Sequence, residues 1–267
     1  MTTRALRDRF GPWAVVTGAS SGIGLAMARE AARRGLDVVL VARRREALDR
    51  VAGELRARHA IATRVVALDL ARPDGATELL AATRDLDIGL LVAAAGFGTS
   101  GAFIDSPLDR ELEMLDVNCR AVLVLAHEYG RRLAARGSGG IVLLSSMLAF
   151  QGTPLAAHYS ATKAWVQSLA DGLHVELSPR GVSVIATAPG PTRSGFAARA
   201  NMRMSATVAP DVVARTTFRA LGRKSTVLPG ALTKLLVYSL LPLPRWARSR
   251  IVGAVMRGMT RHQTGAG

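Results

Sequence analysis

The sequence is short of cysteine, of aromatics and, beyond Asp211, of acidic residues, and each shortage excludes something. Cys119 is the one cysteine in 267 residues, so an intrachain disulfide is impossible. Its expected role is that of a small apolar residue in a helix. Aromatic residues make up 4% of the chain, and no nucleic-acid recognition motif is present. The net charge of +15 is carried mostly by arginine, with three lysines, and no nucleic-acid partner is expected. No apolar stretch reaches the roughly 18 residues that a membrane-spanning helix needs. Met1 to Arg9 is charged and lacks the apolar core of a signal peptide, so a reducing, cytoplasmic setting is expected. No period of about 20–50 residues recurs, which excludes a solenoid. His127 and His174 fall in helical stretches without partners of metal-ligand type, and no metal is expected.

What is present is an alternation of apolar runs and helical stretches. Hydrophobic residues make up 49% of the chain, enough for one α/β unit with a sizeable core. The runs expected as strands are Trp13–Val16, Val38–Val41, Arg64–Leu68, Gly89–Ala93, Ile141–Leu144, Val182–Ala186 and Thr226–Leu228. They are continuous rather than alternating, as suits parallel strands covered on both faces. Helices are expected near 23–34, 46–59, 74–83, 108–135, 158–177 and 210–221. The fold class is therefore a doubly wound, Rossmann-type parallel sheet of about seven strands with helices on both faces. Ligands of such sheets bind at the carboxyl edge. Gly18, Asp69, Gly96, Ser146 and Gly190 all fall just past expected strand ends.

Two short motifs carry chemistry. Thr17-Gly18-Ala19-Ser20-Ser21-Gly22-Ile23-Gly24 follows the first strand at once, and a helical stretch to Arg34 follows it, stopped by Gly35. Glycines there permit the tight turn, the approach of backbone to a pyrophosphate and close helix–strand packing. The helix N-terminus offers free N–H groups to phosphate. The second motif is Tyr159 with Lys163, four apart on one helical face. A phenol has a pKa of about 10, and a neighbouring ammonium is expected to lower it. At the end of the second strand, Ala42 stands where an enzyme using NAD carries an acid for the ribose 2′-hydroxyl, and Arg43 follows. A guanidinium suits a 2′-phosphate in charge and fork geometry, so NADP (NADPH) is the expected cofactor.

The Gly-x3-Gly-x-Gly spacing together with Tyr159 and Lys163 resembles the short-chain dehydrogenase/reductase family, from about residue 13 to about residue 230. Ser146, thirteen positions before Tyr159, and Asn118 sit where that family has its other catalytic residues. Pro189-Gly190-Pro191-Thr192 is similar to its Pro-Gly-x-x-Thr segment. The resemblance implies strand order 3-2-1-4-5-6-7 and interconversion of a carbonyl and a secondary alcohol by hydride transfer. It implies that Tyr159 is the general acid in reduction and the base in oxidation. Lys163 would tune Tyr159 and hold the nicotinamide ribose. Ser146 would hold the substrate oxygen, and Asn118 would shape the long helix and a water path to Lys163. Ser145 competes with Ser146 but lacks the family spacing. The implied cofactor contacts are Gly18, Ser20, Ser21, Gly22, Ile23, Gly24, Arg43, Asp69, Leu70, Ala95, Gly96, Asn118, Tyr159, Lys163, Pro189, Gly190 and Thr192. A homo-oligomer, dimer or tetramer, acting on a small molecule is implied as well. The alternative function is a non-catalytic NADP-binding regulator or a membrane-surface adaptor. One departure is Ala93-Ala94-Ala95-Gly96, where most members read Asn-Asn-Ala-Gly; the missing amides would have tied neighbouring strands together.

The second departure is length. Residues 1–230 are expected to form the NADP-binding catalytic domain and 231–267 a basic, partly apolar helical extension. After Asp211 the chain has no acid, yet it carries nine basic residues up to Arg257 and a tenth at Arg261. Arg245 to Arg261 mixes these with Trp246, Ile251, Val252, Val255, Met256 and Met259. Such a helix suggests a peripheral contact with a membrane surface or an acidic partner. The other reading, and the preferred one, is packing against the body or a second subunit. Thr192 to Pro210, with Phe196, Met202, Met204 and Val208, is expected to be a mobile lid over a hydrophobic substrate.

Overall fold

The continuous apolar runs become seven parallel strands in the computed structural model, which describes residues 3–204 and 207–263. Positions 205 and 206 of the expected lid and 264–267 of the extension lie outside the described residues. The strands are β1 (Trp13–Thr17), β2 (Asp37–Ala42), β3 (Thr63–Ala67), β4 (Ile88–Ala93), β5 (Gly139–Leu144), β6 (Val182–Thr187) and β7 (Thr226–Val227). Their order is β3-β2-β1-β4-β5-β6-β7, as expected. The order reverses between β1 and β4, which opens a crevice at their carboxyl ends.

The helices are α1 (Thr3–Phe10), α2 (Gly22–Arg33), α3 (Arg45–His59), α4 (Gly75–Ala82), α5 (Leu108–Leu115), α6 (Ala121–Arg136), α7 (Ala157–Leu177), α8 (Phe196–Arg199), α9 (Pro210–Ala220), α10 (Ala231–Leu240) and α11 (Arg245–Thr260). Successive strand residues point to opposite faces, and the two faces have separate cores. Val38 and Leu40 of β2 pack with Met27 of α2, Leu48 and Leu55 of α3 and Phe218 of α9. Val39 and Val41 belong to the core of the other face, which runs across the sheet to Leu125, Tyr129 and Leu133 of α6 and Val166 of α7. β4 and β6 are buried along their whole length, which is why their sequences are unbroken apolar runs.

Two features differ from the sequence expectation. The stretch 108–135 is not one helix: a π-helical turn, Asp116–Arg120, separates α5 from α6. Such turns insert one residue into a helix and redirect the side chains beside it, often at functional sites; Asn118 lies within this one. The N-terminal residues, read only as lacking a signal peptide, form α1, whose Leu6 and Phe10 are fully buried. A third apolar cluster lies beyond the carboxyl edge of the sheet. It joins Phe97, Met114, Tyr159 and Met202 to Val252 and Met256 of α11. The extension is therefore packed on the body, by one face.

Candidate active site

A cleft of about 420 Å³ opens over the carboxyl ends of β1, β2 and β4. Its floor is the turn Gly18 to Gly24, and its walls include Ala42, Arg43, Asp69, Leu70, Ala95 and Gly96. The turn is tight because α2 starts against the end of β1: a Cβ on Gly24 would lie 2.2 Å from the Gly18 carbonyl oxygen. Only glycine allows that contact. At the inner end, a Cβ on Gly96 would meet Asn118 Oδ1 at 2.8 Å and Lys163 Nζ at 3.3 Å. Glycines keep the floor of the cleft and its inner end clear of side chains, and the α2 N-terminus, where free N–H groups suit a phosphate, lies in the floor. The residues present thus fit the cofactor that the glycine motif implies. Where the amides of Asn-Asn-Ala-Gly are missing, the Thr17 hydroxyl accepts from both Ala94 N–H (3.0 Å) and Ala95 N–H (2.9 Å). The strand ends are tied after all, from the β1 side.

Arg43 stands at the rim with its guanidinium half exposed. Its Nη1 is 3.7 Å from Asp69 Oδ2 and 3.7 Å from Glu113 Oε1. Arg199 of α8 reaches the same Glu113 oxygen at 3.3 Å and stacks on Phe97 at 4.1 Å. Burial holds the Arg199 guanidinium below its usual range, and the nearby charge of Arg43 acts in the same direction. Arg110 pairs with the other oxygen of Glu113, so three cations share one carboxylate beside the cleft. The sequence reading found Arg43 but not Arg199 or Glu113, which no local motif marks.

A second, apolar cavity of about 320 Å³ adjoins the cleft at Ala94, Gly96 and Phe196. Ser146, Tyr159 and Lys163 line it, as do Pro189, Gly190 and Thr192. Ser146 follows β5, and its Oγ accepts from Leu148 N–H (3.2 Å) and hydrogen-bonds the Tyr159 phenol. Ser145 is occupied elsewhere: its hydroxyl donates to the Lys163 carbonyl at 3.1 Å. Lys163 Nζ donates to the Leu144 carbonyl at 2.9 Å and lies 5.9 Å from the centre of the Tyr159 ring. Asn118 sits behind Gly96, fully buried. Its Nδ2 donates to Phe97 O (2.9 Å) and Thr162 Oγ1 (3.0 Å), and its Oδ1 accepts from Phe97 N–H (3.2 Å). It clamps the loop after β4 to α7, so all its hydrogen-bonding groups are engaged there.

One electrostatic expectation is corrected. Lys163 alone does not depress the phenol of Tyr159. Burial pushes Tyr159 up to about 12, against a smaller opposing effect of the Ser146 hydrogen bond. Burial also brings Lys163 down to about 8. Desolvation disfavours both charged forms, and at 5.9 Å from the ring the ammonium does not reverse it. Cys119 behaves as expected, a buried thiol pushed up to about 11. Among the described residues no cluster of His, Cys, Asp and Glu suited to a metal is found.

The far wall of the cavity comes from the extension: Leu236 and Leu240 of α10, and Val252, Met256 and Met259 of α11. The spacing 252, 256, 259 is one helical stripe, a signal the sequence carried. Hydrogen bonds at both ends hold this wall. The Gly190 N–H donates to the Thr233 hydroxyl at 3.2 Å. At the other end, Gln263 Nε2 donates to Ser100 Oγ (2.9 Å) and to Asn201 O (2.6 Å), and Arg203 N–H donates to Met259 O (3.0 Å). The expected lid is thus fastened to the extension, with Phe196 against Tyr159 at 5.2 Å between ring centres.

A doubly wound sheet with a glycine-floored cleft, a Ser–Tyr–Lys group and an apolar cavity beside it is the architecture of a nicotinamide-dinucleotide oxidoreductase. Residues 12–205 match the family model described as short chain dehydrogenase, and the chain belongs to the short-chain dehydrogenase/reductase family. Its relatives act on CH–OH donors, and this chain is an oxidoreductase of carbonyls and alcohols. A 7beta-hydroxysteroid dehydrogenase of Collinsella aerofaciens is 31% identical over 238 residues, covering 86% of this chain and 90% of that relative. A solved 7beta-hydroxysteroid dehydrogenase superposes with a TM-score of 0.87 at 28% identity, over 93% of this chain and 99% of the other. A short-chain dehydrogenase from Sphingobium yanoikuyae, solved in complex with NADPH, has a TM-score of 0.81 at 31% identity, over 90% and 95%. No helix among the described residues is long and apolar enough to cross a membrane.

Proposed function

We propose that this protein reduces bulky hydrophobic ketones, and oxidises the matching secondary alcohols, with a preference for NADPH over NADH. The observation that carries the reading is the apolar cavity that begins at Ser146 and Tyr159 and is walled at its far end by α10 and α11. Ligand cavities of this kind are mostly apolar with a few fixed polar groups, and here the polar groups stand at one end. The similarity to hydroxysteroid dehydrogenases supports a fused-ring substrate.

The cofactor, when bound, supplies or accepts the hydride. The cleft residues Gly18, Ser20, Ser21, Gly22, Ile23, Gly24, Asp69, Leu70, Ala95 and Gly96 would hold it along the sheet edge, with Pro189, Gly190 and Thr192 at its inner end. Arg43, with no acid at Ala42, favours a 2′-phosphate. Ser146 holds the carbonyl oxygen by donating a hydrogen bond. Tyr159 gives that oxygen its proton, and a phenol at about 12 is fully protonated at neutral pH, as an acid must be. Lys163, at about 8, is charged at neutral pH and is proposed to steady the ribose and the phenolate as it forms. Asn118 positions the loop that carries Gly96. Apolar side chains exposed on the loop and helix before the π turn, Phe103, Ile104, Leu108 and Leu112, fit a contact with a second copy in a homo-oligomer.

The test is a ketone series of rising apolar size, assayed with NADPH and with NADH. Turnover efficiency should rise toward fused-ring ketones. Preference for small polar ketones would overturn the substrate class, and preference for NADH would overturn the cofactor choice.

A further inference from the structure

α10 and α11 turn one face to the substrate cavity and leave the other bare. Leu235 (65% exposed), Tyr238 (60%), Trp246 (65%), Ile251 (44%) and Val255 (53%) stand out from these two helices. Interspersed with them are Lys234, Arg245, Arg250 and Arg257, all exposed, and no acid follows Asp211 anywhere in the chain. Leu236, Ile251 and Val255 belong to both surfaces: they line the cavity and are exposed. One edge of the bare face therefore borders the cavity.

The charge pattern selects what covers it. A second copy related by a two-fold axis would set this patch against itself, bringing cations together with no carboxylate of the extension between them. The other exposed apolar patch, around Leu108 and Leu112, carries Asp105, Asp109 and Asp116 beside Arg110 and Arg120, and so suits self-association. A flat anionic surface with an apolar interior meets both features of the α10–α11 face. Basic side chains are drawn to the headgroups, and Trp and Tyr favour the interface between water and hydrocarbon.

We infer that the α10–α11 face docks on an anionic lipid bilayer, so that lipophilic ketones or alcohols pass from the bilayer into the cavity between Leu236, Ile251 and Val255. The inference about substrate entry rests on the proposed substrate class, whereas docking stands on the surface alone.

The experiment is co-sedimentation of the full chain with vesicles of equal parts phosphatidylcholine and phosphatidylglycerol, beside vesicles of phosphatidylcholine only. The chain should pellet with the first and not the second, and salt should release it. Each basic side chain near such a surface contributes about 1 kcal/mol, about fivefold in partitioning, so Arg245→Gln and Arg250→Gln should each weaken binding about fivefold. Leu235→Glu with Trp246→Glu should abolish pelleting. Neither residue lines the cavity, so turnover of a water-soluble ketone and the circular dichroism spectrum should be unchanged. Turnover of a ketone dissolved in the anionic vesicles should fall in the same double variant. Full-length protein that stays in solution at low salt overturns the docking. So does an oligomer that dissociates on Leu235→Glu and Trp246→Glu, since a second copy would then be the cover. If the chain pellets but turns over no lipophilic ketone, docking stands and the substrate class fails.

Discussion

The cleft over β1, β2 and β4 and the cavity beside it are neighbours built on opposite plans. The cleft is made of backbone: glycines, strand ends and a helix N-terminus within a few residues of one another. The cavity is made of side chains that arrive from the loop after β5, from α7, from the lid and from the two terminal helices. A binding surface of backbone has to be written as a short motif, because each position needs a particular freedom of conformation. A surface of side chains needs only apolar residues of suitable size, which can be scattered. On the proposed function, the cleft would serve the cofactor, and the cavity would join Ser146, Tyr159 and Lys163 at one end to a substrate-selecting wall at the other.

Four outcomes sharpen that division, in falling order of size. Tyr159→Phe removes only the hydroxyl, and turnover should drop about 10²–10⁴-fold, the range for loss of a positioned acid, with NADPH affinity by fluorescence titration nearly unchanged. Arg43→Ala should weaken NADPH by roughly ten- to more than a hundredfold, as expected for a charge-assisted contact of about 1.5–3 kcal/mol. NADH binding should barely change, and equal losses for both would show that Arg43 does not read the 2′-phosphate. Lys163 loses its charge as pH rises through about 8. If that charge helps hold the cofactor, NADPH affinity is steady below this pH and falls above it, by up to about tenfold per pH unit. Lys163→Gln should flatten the profile and weaken binding throughout. The smallest effect belongs to the wall. Leu240→Val deletes one methylene, about 0.8 kcal/mol, and should lower efficiency about fourfold for a fused-ring ketone and leave a small ketone unaffected. If Leu240→Val altered cofactor affinity instead, the division between cleft and wall would fail.

The same difference explains what the sequence disclosed. The seven strands and their order were legible from unbroken apolar runs and from one glycine spacing. Ser146 stands apart from Ser145 through its distance from Tyr159, and the structure shows Ser145 bonded to the Lys163 carbonyl. The break at Asp116–Arg120 was not legible, because a π turn adds one residue without altering the helical composition around it. Thr17 was not expected to replace the lost amides before Gly96, since its partners lie in a distant part of the chain. Arg199 and Glu113 come together across α5 and α8 with no local signature. The phenol's pKa depends on burial, and a sequence does not show how dry a site is. The extension was weighed as a contact for a membrane surface or acidic partner, or as packing on the body or a second subunit. Val252 and Met256 pack on the body, and Trp246 is exposed.

The hydrogen bond from Gly190 N–H to Thr233 reaches further than its 3.2 Å. It couples the segment after β6 to the first turn of the terminal hairpin, so the two parts of the molecule are not interchangeable modules. A chimera that grafts the terminal helices of a relative onto this body would inherit a new specificity wall. If the graft lacks a hydroxyl at position 233, it also leaves a half-buried N–H without that partner, at a cost below the roughly 1–3 kcal/mol of a fully buried donor. Recombination between such enzymes is thereby constrained at a residue that touches neither hydride nor proton.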